Sequence, residues 1–159
     1  MLTRFLACLA FATVAVAESS DPVPSPPASP EVNRIEALVN RAATLVATRG
    51  RAAFEEFRKR DSVWWSGSTY LFAYDKDMNV LLNPAFPKRE GTNVHGQKDV
   101  NGKAFHDEFV RVVRAKESGW VDYMFPKPGQ SQPSRKWSFV KAVTIDGSPG
   151  LIGAGFYPE

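Results

Sequence analysis

Two histidines occur in the chain, His95 and His106. With Asp99 and Asp107 close by in sequence, they are the residues whose types could hold a metal ion or exchange protons. His106 and Asp107 are neighbours on a stretch with helical spacing and so project in different directions. The plainest reading of the group is therefore solvated loop and helix-face residues, so no metal and no cofactor is expected. The single cysteine, Cys8, rules out an internal disulfide, a cysteine-based zinc site and a CxxCH haem attachment. No GxSxG elbow or phosphate-cradling loop is present. Asp75-Lys76-Asp77-Met78-Asn79 has the acidic spacing that opens a calcium loop, but it lacks the later Gly and Glu and reads as a hairpin turn. Nothing here assembles a nucleophile with its base, and no catalytic residue is assigned.

Binding chemistry is better represented. Tyr70, Phe72 and Tyr74 alternate along one strand-like run, and Val121, Tyr123 and Phe125 along another. Trp64 and Trp65 stand just ahead of the first. Aromatic rings with hydroxyl or indole N–H tips make an apolar wall with polar handles, the composition of a small-ligand pocket. Sheet aromatics also fill ordinary cores, and for any one of these residues both readings stay open. Residues 83–102 form a long polar connection with two prolines and three glycines, a length that points to a functional loop or lid. Asn83 and Asn93 would supply donors from it, together with backbone N–H groups at its glycines.

These residues need a scaffold. Ile35, Leu38, Val39, Ala42, Leu45 and Val46 follow the helical period, with Gly50 as a left-handed stop. Ala53, Phe54 and Phe57 start a shorter helix. From Thr69 the period becomes that of strands: a hairpin turning at residues 75–79, then, after the long connection, a third helix carrying Phe105, Phe109, Val112 and Val113, with Asp99 or Asn101 as its cap. Residues 119–125, 136–145 and 150–156 read as three further strands, the last two joined at Asp146-Gly147. Segregated helices and hairpin-linked strands predict an α+β fold with an antiparallel sheet.

The flanks and composition set the compartment. Residues 1–17 carry Arg4, an apolar run over residues 5–16 and an Ala15-Val16-Ala17 exit, the three parts of a secretory signal peptide cut after Ala17. Cys8 lies too early for a lipoprotein box. Residues 18–30 form a proline-rich linker with Pro22, Pro24, Pro26, Pro27 and Pro30, suited to extended polyproline II. The folded domain is then residues 31–159. No other apolar run is long enough to cross a bilayer, so the product is expected to be periplasmic or secreted and not membrane-embedded. A net charge of +3 with no basic run disfavours a nucleic-acid partner.

Trp65, Tyr70-Leu71-Phe72 leading to Asp75, Asn83-Pro84, Pro87 and Glu90-Gly91-Thr92-Asn93 resemble the first half of a single Cache domain, type 2. Asp99-Val100-Asn101-Gly102-Lys103, Gly119-Trp120-Val121-Asp122-Tyr123, Lys136-x-Ser138-Phe139-Val140-Lys141 and Gly153-Ala154-Gly155-Phe156-Tyr157 resemble the second. The resemblance implies an extracytoplasmic PAS-like sensor with a long N-terminal helix packed on a five-stranded antiparallel sheet. It also implies a small-molecule ligand, with a small carboxylate favoured. Three positions depart from the pattern: Asn83 where relatives have His, Asn79 where they have Gly, and Phe139 where Tyr is usual. Composition alone makes Lys136 a solvated strand end near the sheet edge. The resemblance raises the other reading, since a Lys recurs at this place in the family block; a desolvated carboxylate needs a compensating cation, and Lys136 is expected to be it, with Arg135 as the substitute and Tyr70 and Tyr123 as hydroxyl donors. A membrane receptor or histidine kinase is the partner implied. The competing expectation is an enzyme or metal-handling protein built on the His95/His106 region.

Overall fold

The computed structural model describes residues 24–159; the leader expected at residues 1–17 and the first part of the proline-rich stretch lie outside the described residues. Helix α1 (Pro30–Arg49) starts where Ser29 accepts a hydrogen bond from the Val32 N–H at 3.2 Å, with Pro30 and Glu31 in the first turn. Such a cap satisfies one of the N–H groups that a helix start leaves orphaned. The folded part thus begins a residue or two before the sequence boundary, and Pro26 is itself buried. Gly50 ends α1 at φ 56°, and a side chain there would run into Asp146. A 3-10 turn (Gly50–Ala53) leads into the short helix α2 (Phe54–Phe57).

Five strands follow: β1 (Leu71–Asp75), β2 (Val80–Leu82), β3 (Ser118–Pro126), β4 (Pro133–Ile145) and β5 (Ser148–Phe156). They form one antiparallel sheet in the order β2-β1-β5-β4-β3. The β1–β2 turn is held by the Asp75 carboxylate, which accepts from the N–H groups of Asp77 and Asn79, both at 2.9 Å. Asp146 (φ 49°) and Gly147 (φ 80°) turn β4 into β5, because paired positive φ values match the strand twist.

Alternation assigns each strand residue to a face. Ile35, Leu38, Val39, Ala42 and Val46 of α1 bury against Leu71, Ala73, Trp137, Phe139, Ile152 and Ala154. Each Val, Leu, Ile or Phe side chain so removed from water contributes roughly 1.5–3 kcal/mol, and each Ala methyl about 0.8 kcal/mol. The opposite face presents Phe72, Tyr74, Val121, Tyr123, Val140 and Leu151 to helix α3 (Phe105–Lys116) through Phe105, Phe109 and Val112.

Two local expectations are corrected. Ala104, with no side-chain cap, precedes α3 in place of Asp99 or Asn101. Asp99 instead accepts from the N–H groups of Asn101, Lys103 and Met124, tying the approach of α3 to β3 and leaving its carboxylate nothing to cap with. Residues 83–102 are also no lid of free amides. The segment contains a 3-10 turn (Pro87–Arg89) and runs back along β2, where Val80 donates to Thr92, Gly91 to Val80 and Val94 to Met78. Gly96 donates to Asp107, and Gly102 to Asp99. Its glycine N–H groups are therefore spent within the protein.

Candidate functional site

Lys136 is the fourth residue of β4, an interior strand, so it stands well inside the sheet and not at its edge. Trp137 and Phe139 point to α1, which sends Lys136 and Ser138 to the α3 face. Lys136 is 1% exposed. Its Nζ donates to the Tyr70 hydroxyl at 3.2 Å and lies 4.3 Å from the Tyr70 ring centroid. The rings of Tyr157, Phe125 and Phe72 surround it at 5.3, 5.5 and 5.9 Å. Among the described residues no carboxylate pairs with it. Aromatic faces attract a cation, but they do not replace its hydration, and burial pulls the Lys136 pKa down to about 7. Gly155 makes room for it, since a Cβ there would sit 3.0 Å from Lys136 Cε.

Hydroxyls converge on the same place. Tyr123 lies opposite Lys136 across the β3–β4 ladder and shares a 2.9 Å hydrogen bond with Ser138. Burial raises the pKa of Tyr70, Tyr74, Tyr123 and Tyr157, which keeps these phenols protonated. Tyr70 and Tyr123 also lie within electrostatic reach of each other and of Tyr74, Tyr157 and Arg89.

A second polar group borders this cage. His106 is buried against Tyr74, whose hydroxyl is 2.8 Å from Nδ1, while Arg89 Nη2 lies 3.1 Å from Nε2. Arginine only donates, so Nε2 accepts and Nδ1 carries the proton toward Tyr74. Burial, and then the Arg89 charge, hold the His106 pKa down at about 3, so the ring is neutral. Arg89 also sits 5.5 Å from the Phe125 ring. A cleft of about 180 Å³ opens here, lined by Arg89, Gln97, His106, Met124 and Phe125 among others.

Of the expected site residues, Tyr70, Phe72, Phe125 and Lys136 form the cage, with Tyr123 and Tyr74 beside it. Trp65 is at its margin, 6.4 Å from Tyr70 ring to ring, and is covered by Arg60. Asn83 acts at one remove: it is buried and its side chain accepts from the Phe86 N–H at 3.2 Å, setting Phe86 against Phe125 at 5.2 Å. Two residues are not brought to the group. Trp64 packs on Phe57 at 4.9 Å with Arg41 above it, on the α1 side. Asn93 is exposed and donates to Asp77 and Asn79, pinning the loop to the β1–β2 turn. Arg135 points outward to Asp122 at 3.0 Å. Phe139 also faces α1, against Trp120, so its missing hydroxyl is remote from the cage.

The histidines do not cooperate. His95 is exposed and paired with Asp107 at 2.6 Å, whereas His106 turns inward, contrary to the solvated helix face expected of it. Its position three residues before Phe109, on the apolar stripe of α3, is the signal that could have shown this. Phe86 and Arg89 carried no such signal, because a turn and a short 3-10 segment deliver them; Tyr157 stands in a family-like block but was assigned no role there.

The Cache domain family model matches residues 58–159, and the chain belongs to that family. It is 32% identical over 90 residues, 57% of this chain, to the methyl-accepting chemotaxis protein McpP of Pseudomonas putida. It is also 32% identical over 88 residues, 55% of this chain, to the sensor histidine kinase MctS of Rhizobium johnstonii. The matches span 16% and 18% of those two proteins, so the chain covers less than a fifth of either. Among solved structures, a periplasmic sensor domain of a chemotaxis protein superposes with TM-score 0.70 at 36% identity, covering 81% of this chain and 95% of its own. A Cache chemosensory domain solved for its carboxylic acid recognition gives TM-score 0.69 at 27% identity, covering 80% and 92%. No helix among the described residues is long and apolar enough to cross a membrane.

Proposed function

We propose that this chain is an extracytoplasmic sensor domain that binds a small carboxylate at Lys136 and reports it to a receptor or histidine kinase without chemical turnover. One observation carries the reading: a fully buried ammonium with a single hydrogen-bond acceptor and no acidic partner among the described residues. A cation in that state is costly to leave unpaired, and a desolvated carboxylate needs a cation and several donors before it will leave water. The two deficits cancel. The carboxylic acid recognition of a structural neighbour agrees with this chemistry, and sensor domains of chemoreceptors and kinases are the relatives.

Size limits the affinity. A ligand of about six heavy atoms at a ceiling of about 1.5 kcal/mol per atom reaches near 9 kcal/mol, a sub-micromolar to micromolar Kd. The leader over residues 1–17 and its cut after Ala17 would place the domain outside the cytoplasm.

Thermal-shift screening with acetate, propionate, pyruvate, amino acids and sugars, followed by calorimetry, tests the proposal. A carboxylate at about 100-fold over its Kd should add roughly 2.7 kcal/mol of apparent stability. Stabilisation by sugars or amines alone would sink it.

A further inference from the structure

Lys136 is 1% exposed, so nothing reaches it until part of the cage gives way. The sheet holds most of the cage in place: Phe72, Phe125 and Lys136 stand on β1, β3 and β4, and Tyr70 directly precedes β1. Tyr157, just past β5, is tied to β3 by a hydroxyl that donates to the Pro126 carbonyl at 2.6 Å. A further wall is the segment of residues 83–90. There Phe86 lies 6.2 Å from the Tyr70 ring and 5.2 Å from Phe125, and Arg89 lies 5.5 Å from Phe125. The segment is bonded within itself: Phe86 donates to the Asn83 carbonyl at 3.0 Å and Arg89 to the Phe86 carbonyl at 2.9 Å. Glu90 closes its base, accepting from the Asn83 N–H at 2.8 Å. A compact loop with its ends drawn together moves as a unit about those ends.

The same carboxylate is gripped from the helical side of the sheet. Arg58 Nη1 and Nη2 donate to Glu90 Oε1 and Oε2 at 2.7 and 2.9 Å, a planar two-pronged hold. Arg58 directly follows α2, whose Phe54 and Phe57 pack with α1. Among the described residues no other ion pair joins residues 30–58 to residues 83–102. With 35% and 23% of their side-chain surfaces exposed, the two partners can part into water, a step that is far harder for a fully buried pair. Resting on the carboxylate reading above, we infer that Arg58 is a positioning residue: through Glu90 it latches residues 83–90 against the cage and so gates the passage of ligand to Lys136. While the pair is closed, Phe86 and Arg89 stay on the Phe125 ring. When it parts, the loop loses its anchor to α2 and swings from the cage. A latch that closes over the empty and the occupied cage alike sets the rates of entry and exit and leaves affinity nearly unchanged.

Hydrogen exchange on the free full chain tests the latch without any ligand. Arg58→Met should speed exchange at the Phe86 and Arg89 amides by at least about fivefold and leave the amides of α3 at wild-type rates. Glu90→Gln, whose amide oxygen still accepts from Asn83, should shift them in the same direction. Arg49→Met, which removes the Arg49–Glu56 pair on the same helical side, should leave residues 83–90 unchanged. Stopped-flow tryptophan fluorescence with propionate then reads the passage, since Trp65 lies 6.4 Å from the Tyr70 ring. Arg58→Met should raise the association and dissociation rate constants together, and Arg58→Lys should bring both part of the way back. Unchanged exchange in residues 83–90, exchange that rises across the whole sheet, or a weaker Kd with association no faster would each overturn the latch and leave the carboxylate site standing. If propionate binds wild type with none of this kinetic change in the variant, gating falls too. If propionate does not bind wild type, the carboxylate reading is what fails, and the exchange rates still decide whether Arg58 holds the loop.

Discussion

The Lys136 ammonium and the Tyr70 hydroxyl meet at 3.2 Å with the Tyr70 ring itself only 4.3 Å away, so one residue serves the cation both as acceptor and as π-face. Tyr70 precedes β1 and Lys136 is on β4, with β5 lying between those strands in the sheet. The pair therefore ties the entry to β1 to strand β4, and β1 and β4 share no ladder.

Lys136→Met keeps an unbranched side chain and removes the buried charge. Carboxylate affinity should fall at least tenfold, because a charge-assisted bond of about 1.5–3 kcal/mol goes with the ammonium. The free protein should be more stable than wild type, since an apolar side chain replaces an unpaired cation. Folded Lys136 has its pKa lowered to about 7 from 10.5, so its burial penalty is complete below pH 7 and fades as pH rises toward 10.5. Chemical denaturation at pH 6 and pH 10 checks this; a stability gain that is larger at pH 10 contradicts it.

The same shift couples binding to protons. At pH 8 the free site is mostly neutral, and a bound carboxylate restores the ammonium, so binding should take up most of one proton. At pH 6 the uptake should be close to nil. Titration calorimetry in two buffers of different ionisation enthalpy measures it. No uptake at pH 8 would mean that the ligand does not meet Lys136.

Tyr70→Phe separates the two services of Tyr70. The ring remains over the ammonium and the hydroxyl goes, and with it a donor to the bound carboxylate, which should cost binding about 1 kcal/mol, roughly fivefold. Unchanged affinity would show that the ring alone suffices.

Gly155→Ala should damage fold and site together. A Cβ there presses on Ser138 Oγ, on the Trp137 carbonyl and on Lys136 Cε. Overpacking of this kind costs about 1–3 kcal/mol. Urea unfolding would register the loss of stability and calorimetry the weaker ligand. A variant of wild-type stability would place the Lys136 stem elsewhere.

N-terminal sequencing of the exported protein checks the leader: the mature chain should begin at Glu18. An intact Met1 in a membrane fraction would refute cleavage.

Much of this protein was legible as pattern. The apolar stripe from Ile35 to Val46, the alternation through Tyr70, Phe72 and Tyr74, and the Asp146-Gly147 turn define elements through local rules of period and φ, and those rules act on neighbours along the chain. Strand alternation alone placed Tyr123 and Phe125 on one face. It also separates Lys136 and Ser138 from Trp137 and Phe139, although composition made Lys136 a strand end.

Tertiary structure decided the rest. Strand order put β4 inside the sheet, which turned Lys136 from a rim residue into a buried cation. The path of residues 83–102 sent Asn93 to a hairpin turn and brought Phe86 and Arg89 to the cage. Trp64 and Trp65, adjacent in sequence, went to different surroundings, one against Phe57 and the other against Tyr70. Period and turn chemistry are properties of adjacent residues and are written in the chain. Burial and the meeting of Lys136 with Tyr70, 66 positions apart, depend on which surfaces close over which, and no local rule carries that.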